Sequence, residues 1–100
     1  MKDIIKNLKK SDRYKDFIYF DEPVIFDKYF NNYSFDIVQV HDMTPILDGI
    51  VGFAGQFNWS NGKLIPLDGD TYETDMKVWG YKKFIGQDKE ICLDILVTDW

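Results

Sequence analysis

Asn61-Gly62 constrains this chain more than any other pair of residues. Both central residues of a type I′ turn need positive φ, and Asn-Gly meets that demand at least cost. The surrounding stretch, Gly49 to Leu67, therefore reads as a β-hairpin. In its first arm Val51, Phe53, Phe57 and Trp59 share one face at period two. Ile50, Gly52, Ala54, Gln56 and Asn58 form a smaller, more polar face.

More strands follow. Met76 to Ile85 predicts one, with Trp79, Tyr81 and Ile85 on one face and Met76, Val78 and Phe84 on the other. Gly86 to Lys89 is a hairpin loop of common length, and Glu90 to Thr98 is the last strand. There Ile91, Leu93, Ile95 and Val97 alternate with Cys92, Asp94, Leu96 and Thr98. Between the two hairpins, Leu67 to Asp75 is an acidic loop.

Upstream, Asp3 to Lys10 predicts a short amphipathic helix that ends at Ser11-Asp12. Ile4, Ile5 and Leu8 share its apolar face, which is too small for a membrane surface and suits a lid over the sheet. Phe17 to Phe20 is an apolar run that Asp21-Glu22-Pro23 breaks. Pro23 to Phe30 fits a helix starting at Pro23, or a strand through Val24-Ile25-Phe26 that turns at Asn31-Asn32; the strand is preferred. Phe35 to His41 is a further strand. The expected fold is mainly β, α+β at the margin: one domain over residues 1–100, an antiparallel meander or small SH3-like barrel of about six strands. A helix over residues 1–12 packs on a β-rich core of residues 14–100.

Composition narrows the class. Forty-five per cent hydrophobic residues and seventeen aromatics can fill a core, which argues against disorder. No window approaches the roughly 18 apolar residues needed to span a bilayer. The first ten residues lack the apolar stretch of a signal peptide, and Cys92 alone cannot form an internal disulfide. A cytoplasmic setting is expected. The net charge of −5 is unevenly spread. Residues 1–15 carry six basic and two acidic side chains, residues 16–75 two basic and eleven acidic ones. Such an acidic middle repels nucleic acid and suits a basic partner. Trp79-Gly-Tyr-Lys-Lys-Phe84 has the aromatic–basic mixture of a nucleic-acid surface over six residues only.

Candidate chemistry is sparse. Asp68, Asp70, Glu73 and Asp75 could serve a Ca2+ ion, but the glycine stands second instead of sixth and the twelfth position is Trp79 instead of Glu. His41-Asp42 is the one place where a histidine could act as a base. The chain has no phosphate-binding loop, dinucleotide fingerprint, nucleophile elbow or zinc spacing, so no cofactor or metal is expected. These features favour a non-catalytic, acidic protein-binding domain, of the kind found in inhibitors or immunity proteins of phages and mobile elements. Asp68, Asp70, Tyr72, Glu73, Asp75, Trp59, Trp79 and Trp100 would form its partner surface. Two other readings are a small-molecule or Ca2+ site using residues 68–75 with His41 and Asp42, and a small hydrolase built on His41. Monomer and homodimer are both compatible with a sheet that has free edges.

Overall fold

The hairpin forms where Asn-Gly dictates: in the computed structural model Asn61 and Gly62 have φ of 54° and 72°. The structure describes residues 2–43, 52–69 and 73–98. Helix α1 spans Lys2–Lys10, β1 Ile18–Ile25, α2 Phe26–Tyr29 and β2 Phe35–Asp42. Strands β3 (Gly52–Ser60) and β4 (Lys63–Gly69) make the hairpin, and β5 (Lys77–Ile85) and β6 (Ile91–Thr98) make a second one.

The six strands form one sheet in the order β1-β5-β6-β2-β3-β4. Neither expected architecture is present. Edge strands β1 and β4 do not pair with each other, so the sheet is open and no barrel closes. Strand β6 lies between β5 and β2 and runs parallel to β2, from Ile37 opposite Cys92 to Asp42 opposite Val97. That makes the sheet mixed instead of an antiparallel meander. Alternation reports which side chains a strand buries, but it carries no record of which strand lies beside it.

Residues 23–30 combine both readings. Pro23 to Ile25 complete β1, and Phe26 to Tyr29 turn once as α2. The break at Asp21-Glu22-Pro23 is a wide bulge inside β1: Tyr19 pairs with Gly80 and Val24 with Val78. Asp68, expected in a loop, lies within β4.

One sheet face packs against α2 and its flanks. Phe26, Phe30, Phe35, Val38, Val40, Phe57, Trp59, Val78, Leu93, Ile95 and Val97 form that core. Phe26 meets Trp59 edge-on, with centroids 4.9 Å apart, and Phe57 at 5.6 Å, the geometry favoured by ring quadrupoles. On the other face, α1 and the turn after it bring Leu8, Tyr14 and Phe17 onto Met43 and Leu96, with Tyr19 and Trp79 beside them. The rest of this face mixes polar side chains with Ile37, Phe53, Phe84 and Cys92. Register aligns Lys82, Asp94, Gln39, Gln56 and Asp68 in one row across five strands.

Bulges alter two of the expected faces. Val40 pairs with Gly55 and His41 with Phe53, so Ala54 is an extra residue in β3. Gly55, at φ of 146°, supplies a backbone conformation that side chains disfavour. Beyond this bulge Phe53 leaves the face of Phe57 and Trp59 and meets His41 instead. In β5, Trp79 is extra between Val78 and Gly80, so Val78 and Tyr81 share the α2 face while Trp79 turns to the α1 face.

Candidate functional site

The topology gathers acidic side chains at one end of the sheet. Ile25 and Thr98 both pair with Lys77, and Asp42 pairs with Val97 and Gly52. Consequently β1, β2, β4 and β6 end where β3 and β5 begin. Asp27, Asp42, Asp68, Glu73 and Asp75 lie at or beside that end, with Lys28 and Lys77 as cations there. Two main-chain bonds fix the approach to β5: the Phe26 N–H donates to the Met76 carbonyl and the Asp27 N–H to the Thr74 carbonyl, both at 2.9 Å. The Thr74 hydroxyl donates to Asp27 Oδ2 at 3.1 Å. Asp68, Glu73 and Asp75 are exposed.

These carboxylates mark one pole of the molecule without converging on a point. Asp68 is on β4, four strands from the start of β5, or about 19 Å across the sheet. A Ca2+ ion holds its oxygens at about 2.3–2.6 Å, so Asp68 and Asp75 cannot share one. Among the described residues no cluster of three or more His, Cys, Asp or Glu side chains could hold a metal.

The expected aromatic anchors divide. Trp59 is 2% exposed and its indole N–H donates to the Phe30 carbonyl at 2.8 Å, so it serves the core and offers nothing to a partner. Trp79 is partly exposed, and its N–H donates to Thr98 Oγ1 at 2.9 Å. Asp70, Tyr72 and Trp100 lie outside the described residues.

His41 and Asp42 lie on opposite faces of the sheet. Successive strand residues point to opposite faces, and Asp42 aligns with Val97 of the α2-side core. His41 faces the other way, among the rings of Tyr14, Phe17 and Phe53 at centroid distances of 6.0, 6.3 and 6.0 Å. Its acidic neighbour is Asp94, with Oδ2 3.7 Å from Nε2. That separation is too long for a hydrogen bond, and among the described residues neither ring nitrogen has a hydrogen-bond partner. Gln39 Nε2 holds the other Asp94 oxygen at 2.8 Å. The buried Tyr14 hydroxyl also lacks a partner among the described residues, and burial raises its pKa. With His41 only 5% exposed, a substrate would have to displace aromatic side chains to reach it. Burial likewise raises the pKa of the Cys92 thiol, with Glu90 and Asp94 adding to the shift. This disfavours the reactive thiolate.

The Asp94–His41 contact was not legible in the sequence. Alternation placed Asp94 opposite the Leu93–Ile95 face, but only the parallel pairing of β6 with β2 sets it near His41. No family model matches the chain, nor does any curated protein or solved structure.

Proposed function

We propose that this protein works by binding a protein with a basic surface at the acidic end of its sheet, without chemistry of its own. An inhibitor or immunity protein of the kind carried by phages and mobile elements fits this description. The supporting observation is the exposure of Asp68, Glu73 and Asp75 at one end of a single sheet, beside Asp27 and Asp42. Carboxylates spread over about 19 Å suit a broad complementary surface better than a single ion. Their joint field reaches a partner about a Debye length away, roughly 8–10 Å at physiological salt, and steers its approach.

Charge reversal tests this reading. Cell extract is passed over the immobilised protein and over an Asp68→Lys/Glu73→Lys/Asp75→Lys variant, and proteins retained only by the former are identified. For such a partner the association rate should fall about tenfold or more from low to high salt, with a much smaller change in dissociation. A salt-independent association rate, or equal capture by both proteins, overturns the proposal.

A further inference from the structure

Two bulges meet at Trp79. Four residues of β1, Phe20 to Pro23, stand opposite this single residue of β5. On its other side Trp79 is β5's extra residue against β6, between the Val78–Val97 and Gly80–Leu96 pairs. It therefore has no register partner on either strand. Bulges forfeit regular ladder bonds and re-aim side chains, which is why they recur beside binding sites. Here they leave a cleft of about 390 Å3 between α1 and the β1 bulge, lined in part by Trp79. That volume falls within the roughly 300–1,000 Å3 of small-molecule sites.

The lining is amphoteric. Ile5, Phe20 and Pro23 join Trp79 as the apolar part, α1 contributes Lys6 and Lys9, and the bulge contributes Asp21 and Glu22. Among the described residues no ion pair links either lysine to either acid. The hydrogen bond from the Trp79 indole N–H to Thr98 Oγ1 fixes the ring before any ligand arrives. Such preorganisation removes ordering cost from binding.

We infer that this cleft binds a small zwitterion with a flat apolar body, of which an aromatic α-amino acid is the simplest example. A ligand carrying only positive charge is opposed by Lys6 and Lys9, and one carrying only negative charge by Asp21 and Glu22. A zwitterion answers both groups while its ring lies against Trp79. This site uses none of the acidic-end carboxylates, and it stands or falls apart from the protein-binding proposal.

The test is a titration of the 15N-labelled full chain, following its indole N–H resonances. The probes are L-phenylalanine, phenethylamine (the same molecule without its carboxylate) and 3-phenylpropionate (without its ammonium). The zwitterion should shift the Trp79 signal saturably, and each singly charged analogue should bind about tenfold or more weakly. Lys6→Gln/Lys9→Gln and Asp21→Asn/Glu22→Gln alter exposed or cleft-lining charges only, and retained spectral dispersion verifies their folding. Each should weaken L-phenylalanine binding and abolish the preference for it. No saturable shift up to the solubility limit, equal affinity for the three probes, or unchanged binding in both double variants overturns the inference.

Discussion

The indole N–H of Trp59, buried among aromatic rings, still finds an acceptor in the Phe30 carbonyl at 2.8 Å. That carbonyl also accepts the Tyr33 N–H at 3.0 Å, so Trp59→Phe would keep most of the apolar contact and remove one of two donors without stranding the acceptor. A net hydrogen bond contributes about 0.5–1.5 kcal/mol, so stability in urea should fall by about that much, with little change in the denaturant slope. Tyrosine ionisation gives a second expectation. Burial, with Tyr14 adding to it, pushes the Tyr19 hydroxyl up to about 12, and burial also raises Tyr14 and Tyr81. An unfolded tyrosine ionises near 10. Between about pH 10 and 12 the unfolded chain therefore binds fewer protons than the native one, and stability declines as pH rises. Below that window both states hold the proton and the effect disappears. Urea unfolding at stepped pH should show this decline, and Tyr19→Phe should make it shallower.

Within the elements, two glycines answer different demands. Gly62 needs its φ of 72° and has open space around it, so Gly62→Ala should cost about 1–2 kcal/mol through backbone strain. Gly80 needs room. A Cβ there would lie 3.0 Å from the Tyr19 ring and 3.2 Å from the Ile18 carbonyl oxygen. Gly80→Ala should therefore destabilise by about 1–3 kcal/mol, with amide-exchange protection lost first along the β1–β5 pairing. Uniform weakening of the whole sheet would show that the clash is absorbed elsewhere. Lys89 presents the opposite case, holding a φ of 66° at the β5–β6 turn. Lys89→Gly relieves a left-handed side chain at some entropic cost and should raise stability by up to about 1 kcal/mol, read as a higher midpoint in thermal unfolding.

At the scale of the molecule, the order of the strands decides where the sheet is strongest. Strands β6 and β2 are central, while β1 and β4 are edges with neighbours on one side only. The β2–β6 pairing joins segments far apart in the chain, Ile37 with Cys92 for example. Forming it requires closure of a long loop before the pairing yields stability, which slows folding. Hydrogen exchange should accordingly find Ile95 and Leu96 among the most protected amides and the outward amides of β4 among the least. Comparable protection in β4 would mean that its edge is covered in solution, by a second chain pairing along it. Pro66, with no N–H to offer, and the exposed Ile65 and Leu67 sit on that edge. Proline is one of the devices that blunt a free strand.

Local chemistry was enough for the hairpin at Asn61-Gly62, the extents of α1, β2, β5 and β6 to within a residue or two, and the alternation of Leu93, Ile95 and Val97 with Cys92, Asp94 and Leu96. In each case the signal is contained in a few consecutive residues: a φ requirement, a period, a capping end. Gly55 and Gly80, beside the bulges at Ala54 and Trp79, hint at irregular strands but do not fix where the alternation changes face, so period alone misjudged where Phe53, Val78 and Tyr81 face. It also could not reveal that β6 runs parallel to β2, that Asp94 approaches His41, or that β1 opens a cleft over Trp79. Those features depend on which segments pack side by side. That choice is made by the summed burial and pairing of the whole chain, and no short window contains it.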